Sequence, residues 1–70
     1  MWTVINQTYA TSGSKNAWAH LKKNNTGWRR IKPSSSDGVT NVFLMLVAAK
    51  ASGKQAHVVQ DGDKITKAYF

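Results

Sequence analysis

Residues 39–53 read VTNVFLMLVAAKASG, and their apolar side chains recur at the three- and four-residue spacing of one helix face. The members of this face are Val39, Val42, Phe43, Leu46 and Ala49. Gly53 favours the left-handed conformation that ends many helices, and Asp37 and the serines before it are typical N-terminal caps. We therefore predict one helix over residues 39–52, and its position among the strands decides the fold.

Five short segments around this helix are rich in β-branched and aromatic residues, which is typical of strands. We predict strands at residues 2–9, 16–22, 28–32, 56–59 and 65–70. Pro33 ends the third strand, and Asp61-Gly62-Asp63 predicts a hairpin turn between the last two. Three strands, a helix and two strands are the element order of the OB-fold, a five-stranded barrel. We predict a mainly β, OB-fold-like single domain over residues 1–70, with an open α+β sheet as the alternative.

The charge of the chain is strongly one-sided. Ten Lys and Arg residues face three acidic residues, which gives a formal net charge of +7 over 70 residues. Such a surface attracts anions, so nucleic acid, acidic lipid or acidic glycan is the expected class of partner. The longest apolar run, residues 42–49, is shorter than the roughly 20 residues of a membrane-spanning helix, and we expect no membrane span.

The predicted helix is apolar around most of its circumference, whereas a helix on a small sheet needs an apolar stripe of only about 100°. A chain of 70 residues has little core to cover the second side. We therefore predict that this side packs against other copies of the chain in a homo-oligomer. The predicted interface residues are Val42, Leu44, Met45, Val47 and Ala48.

Catalysis is not expected from the residue types present. The sequence has no Cys and no Glu, and helix capping and turn formation explain the three Asp residues. His20 and His57 lack the spacing of a metal site. We predict a binding module that is not an enzyme and has no cofactor and no metal.

Aromatic and basic residues alternate along the second and third predicted strands. If these strands pair, tryptophans and cations share one surface, as in proteins that stack single-stranded bases and follow their phosphates. The residues of this predicted surface are Trp18, Lys22, Trp28, Arg29, Arg30 and Lys32. Aromatic rings also stack on sugars, so the pattern leaves nucleic acid and glycan open. The alternative to a binding role is a structural one, in which Trp2 and Trp28 lie in the barrel core.

The second half of the chain contains a short pattern made of a helix end, a strand, a turn and a last strand. The helix ends in AAKASGK (residues 48–54), a strand QAHVV (55–59) follows, and an Asp-Gly turn leads to ITKAYF (65–70). This pattern resembles small bacterial OB-fold proteins related to the binding (B) subunits of AB-type toxins, the subtilase-cytotoxin and pertussis-like group.

The resemblance implies a ring, often a pentamer, with helices at its centre, that binds cell-surface glycans and can carry a catalytic A subunit. It also implies a secreted or periplasmic protein, although the sequence shows no signal peptide; without the resemblance a cytoplasmic location is expected. Many relatives have a disulfide, which this chain cannot form. By analogy of fold, the expected glycan-binding residues are Thr8, Tyr9, Thr11, Ser12 and Ser14.

Two functional hypotheses follow from the sequence. The favoured one is a toxin-B-subunit-like homo-oligomer that binds carbohydrate, because the helix composition and the resemblance agree. The alternative is a basic OB-fold that binds single-stranded nucleic acid through the second and third strands.

Overall fold

The computed structural model describes residues 1–12, 15–33 and 35–70, and within them one sheet and one long helix form the fold. In chain order the elements are β1 (Trp2–Thr3), β2 (Ile5–Ala10), β3 (Ala17–Leu21), a 3-10 turn (Lys23–Asn25), β4 (Gly27–Ile31), α1 (Ser36–Ser52), β5 (Ala56–Asp61) and β6 (Lys64–Tyr69). The predicted mainly β class with one helix is confirmed.

The strands pair in the order β1-β5-β6-β4-β3-β2. All neighbours are antiparallel except β4 and β6, which run parallel. A parallel pair needs a crossover connection, usually through a helix. Here α1 and β5 lie in that connection, so the helix returns the chain for β6 to pair beside β4.

The first predicted strand is the main correction to the fold. It is split at Val4: β1 pairs with β5 through Trp2 and His57, whereas β2 pairs with β3. The described sheet therefore has six strands rather than five, and no backbone ladder joins β1 to β2, so the predicted closed barrel is not formed by hydrogen bonds. A register shift after Ile5 accompanies the change of partner, as expected where a bulge bends a strand.

The core lies between the inner face of the sheet and α1, which packs against every strand from β2 to β6. The alternation predicted for β3 is present, with its odd-numbered residues buried and Trp18 and His20 on the other face. The buried apolar residues are Ile5, Ala17, Ala19, Leu21, Ile31, Val39, Leu46, Ala49, Ala56, Val58 and Ile65.

Both ends of α1 are capped by side-chain and backbone chemistry. The hydroxyl of Ser35 accepts a hydrogen bond from the Gly38 amide at 3.0 Å, so the helix begins three residues earlier than the apolar pattern predicts. Gly53 ends it in the left-handed region with φ 72°, as predicted. The caps fix where the helix begins and ends, and its packing against the sheet leaves its outer side toward solvent.

Two leucines of α1 provide a matched test of this packing. Leu46 is fully buried, whereas Leu44 is 59% exposed. We expect Leu46→Ala to lower the free energy of unfolding by about 2–5 kcal/mol because it leaves a cavity, and Leu44→Ala to change it by less than about 0.5 kcal/mol. Urea unfolding followed by circular dichroism at low protein concentration measures both values. Equal losses in the two variants would contradict the placement of the helix.

Candidate ligand-binding face

The strand register brings aromatic and basic side chains together on the outer face of β2, β3 and β4. Tyr9 lies opposite Trp18, and Trp18 lies opposite Arg30, so these three residues form one row across the strands. In the neighbouring row His20 lies opposite Trp28. We call these five residues the aromatic face.

Two rings of the aromatic face, those of His20 and Tyr9, pack edge to face against Trp28. The ring centroids of His20 and Trp28 are 5.3 Å apart, and those of Tyr9 and Trp28 are 6.4 Å apart. Such arrangements are favourable for aromatic pairs. Asn6 Nδ2 lies 3.0 Å from His20 Nδ1 and holds the imidazole in place. Trp28 is nevertheless 42% exposed, so it is a surface residue with a ring available to a ligand rather than part of the core.

Arg30 is held rigidly at one end of the face. Its guanidinium carbon lies 5.9 Å from the centre of the Trp18 ring, within the range of a cation–π interaction. Its Nη2 donates a hydrogen bond to Asn16 Oδ1 at 2.8 Å. Its Nε is buried and has no hydrogen-bond partner among the described residues. The cation is thus positioned by its neighbours before any ligand arrives, which lowers the entropy lost on binding.

The row that contains Arg30 continues onto β6 and β5, where Lys64 lies opposite Arg30 and Asp61 lies opposite Lys64. Asp61 pairs with Lys32 at 3.2 Å, and Asp37 stands in the first turn of α1. Asp63 pairs with Lys64 at 3.2 Å, and the hydrogen bond and charge of that lysine lower the pKa of the exposed Asp63 carboxyl. Among the described residues no ion pair joins Arg30 to an aspartate, because Asp61 and Asp63 are each paired with a lysine.

The structure separates the predicted aromatic and basic residues into two groups. Trp18, Trp28 and Arg30 lie on the face, and Lys22 lies beside it, lining a cleft with His20. Lys32 follows β4 and is paired with Asp61, which lies in the same cross-strand row as Arg30.

Arg29 lies on the opposite side of the sheet from the aromatic face, because side chains alternate along a strand. It lies opposite the buried Ala19, on the face away from Trp28. Its charge contributes to lowering the pKa of Asp63, near the turn between β5 and β6.

The residues predicted for glycan binding are only partly brought together. Thr8 lies opposite Ala19, is half-buried and points toward the inner side of the sheet. Tyr9 belongs to the aromatic face, and Thr11 and Ser12 are exposed just after β2. Ser14 lies outside the described residues.

The predicted interface residues on α1 divide by exposure. Leu44 is 59% and Met45 37% exposed, and Ala48 is also exposed, so these three form an apolar stripe toward solvent. Val42 and Val47 are half-buried, and Val42 packs against the core.

Several residues of the site were not singled out from the sequence. Asn16 orients Arg30 and Asn6 contacts His20, but both pairs depend on cross-strand register, which adjacent residues do not reveal. The alternative prediction of a core position for Trp2 is wrong, because Trp2 is 54% exposed and packs against His57. Its position follows from the split of the first strand at Val4.

No protein-family model matches the chain, and neither a curated protein nor a solved structure matches it. The resemblance to toxin B subunits therefore stays a prediction. No helix in the described ranges has both the length and the apolar character needed to cross a bilayer. Across residues 1–12, 15–33 and 35–70, no three acidic or histidine side chains come together as a metal site.

A double-mutant cycle tests the anchoring of Arg30. We expect Arg30→Ala and Asn16→Ala to be coupled by about 1 kcal/mol in unfolding free energy, because each removes the same charged hydrogen bond. Arg29→Ala combined with Asn16→Ala is the control and should show coupling close to zero, since Arg29 is on the other side of β4. Coupling of the same size in both cycles would contradict the geometry.

Proposed function

We propose that this chain is a non-catalytic, OB-fold-like binding module that holds single-stranded nucleic acid on the aromatic face. The observation that carries this proposal is the row of Tyr9, Trp18 and Arg30 across three strands, with exposed Trp28 beside it. Among the described residues no ion pair joins Arg30 to an aspartate. Stacking surfaces and an unneutralised cation thus occur together.

The strand order supports an OB-fold type of barrel that is open at one position. The two edge strands of the sheet, β1 and β2, are separated in the chain by Val4 alone, so the sheet must curve back on itself. A bent first strand that pairs with the second and the fourth, together with a parallel pair between the third and fifth, is consistent with this fold. Counting β1 and β2 as one bent strand, β3 and β4 are its second and third strands, the usual ligand face.

The chemistry of the face suits unpaired bases. Every base has a flat π surface, and stacking on an aromatic side chain contributes about 1–3 kcal/mol per base. Trp28 and Tyr9 are exposed enough to offer such surfaces, whereas Trp18 is covered by Arg30. Arg30 and the neighbouring Lys22 are placed to meet phosphates. Bases inside a duplex are already stacked on one another, so single strands are the form that this face fits.

Titration of a fluorescent oligothymidylate over a range of salt concentrations tests the proposal. We expect Trp28→Ala to weaken binding about 5- to 150-fold, the equivalent of one lost stacking partner. We expect Lys22→Gln to make the slope of log affinity against log salt less steep by about 0.7, since one phosphate contact is lost.

Lys50→Gln is the matched control for charge, because Lys50 is an exposed lysine on α1 rather than beside the aromatic face. It should leave the salt slope unchanged. Absence of binding to any single strand at low salt, or equal effects of the two lysine variants, would overturn the proposal.

A second candidate is the carbohydrate-binding homo-oligomer of the toxin-B-subunit type. The observation that favours it is the exposed apolar stripe of Leu44, Met45 and Ala48, which a single chain leaves uncovered. In a ring, these helices would pack on one another, and Tyr9, Thr11 and Ser12 would face a glycan on the outside. Secretion and a catalytic A subunit belong to this candidate through the resemblance alone.

Light scattering on a sizing column distinguishes the two candidates. If the stripe is an interface, the wild-type chain elutes as a closed oligomer, and Leu44→Lys or Met45→Lys converts it to a monomer of about 7.7 kDa. The charged side chain cannot be buried between helices without a large desolvation cost. A wild-type monomer, or variants that elute as an unchanged oligomer, would rule out this role for the helix.

A further inference from the structure

A second aromatic cluster lies on β1, β5 and β6, the three strands at the opposite end of the sheet from β2. Trp2 on β1 packs edge to face against His57 on β5, with ring centroids 5.2 Å apart. His57 also lies 5.6 Å from the ring of Tyr69 on β6. Trp2 and Tyr69 are both more than half exposed, so their rings are available to a ligand. The Nδ1 atom of His57 is buried and lacks a hydrogen-bond partner among the described residues.

Two neighbouring clefts join this second cluster to the aromatic face. One, of about 250 Å³, is lined by His20 and Lys22 together with Asn6 and Asn25. The other, of about 290 Å³, is lined by Trp2, Lys22 and Lys23. Lys22 lines both clefts, so they are neighbours on the surface, and we call the two clefts together the path.

Backbone contacts fix the two lysines on this path. The Lys22 amide donates a hydrogen bond to the Val4 carbonyl at 3.1 Å, and the Lys23 amide donates one to the buried Thr3 hydroxyl at 3.0 Å. The start of the 3-10 turn is thereby tied to the bend between β1 and β2. Both lysine side chains are exposed, and neither forms an ion pair with an aspartate in the described chain.

We propose that a bound single strand continues beyond the aromatic face, with its phosphates passing Lys22 and Lys23 and a further base stacking on Trp2. This inference rests on the proposed function and extends its site. Rings at both ends of a path with cations between them repeat the arrangement that single-stranded nucleic acid requires, namely stacking platforms along a basic groove. The path crosses the sheet where its edge strands are joined by Val4, and it predicts that a long ligand contacts more of the protein than a short one.

Affinity as a function of oligonucleotide length tests this extension. The probes are oligothymidylates of about 4 and about 16 nucleotides, the limits of site size for an OB-fold. We expect Trp2→Ala to weaken binding of the long probe about 5- to 150-fold and to leave the short probe unchanged. Trp2→Phe keeps a stacking ring and should retain most of the affinity for the long probe.

The remaining variants separate failure of the extension from failure of the proposed function. Trp28→Ala should weaken both probes, and Lys23→Gln, which leaves the Thr3 contact to its backbone intact, should weaken only the long one. If Trp28→Ala weakens both probes while Trp2→Ala and Lys23→Gln affect neither, the extension is wrong and the proposed function stands. If the wild-type chain binds neither probe, both are wrong.

Discussion

The chain changes its pairing partner at Val4, and this change determines how the sheet is arranged around α1. Trp2 and Thr3 pair with β5, the next strand pairs with β3, and a single residue separates the two ladders. The two edges of the sheet are therefore held together by the chain itself, which forces the sheet to curve around α1. The outer sides of β2, β3 and β4 belong to one face of this sheet, and Trp2 lines a cleft with Lys22 and Lys23, which follow β3.

The strand register determines which side chains lie together on the outer face of this curved sheet. The buried residues of β3 fix which side of the strand faces the core, and a shift of one residue would turn Trp18 and His20 inward. Correct packing of the core therefore also specifies the aromatic face. Arg30 is then held by Trp18 and Asn16. Asp61 and Asp63 each pair with a lysine rather than with Arg30, so the charge of Arg30 has no carboxylate partner among the described residues.

How well the sequence predicts a feature depends on whether neighbouring residues or distant strand partners determine that feature. Helix periodicity, the Gly53 cap and the alternation in β3 depend on near neighbours, and the structure contains all three. The division of the first strand and the exposure of Trp2 depend on partners more than 50 residues away, such as His57, and strand propensity carries no information about them. Likewise, Arg29 and Arg30 are adjacent and chemically alike, yet alternation places them on opposite sides of β4.

A ¹H–¹⁵N NMR titration of the chain with a short oligothymidylate shows directly whether the aromatic face binds single strands. The three tryptophans give three indole resonances, which report separately on the two aromatic clusters. If the ligand binds on the aromatic face, the Trp28 and Trp18 indole signals and the amides of β3 and β4 shift on binding, while the amides of α1 stay in place. Shifts confined to α1, with unchanged indole signals, would contradict binding on this face and would identify the helix as the binding surface.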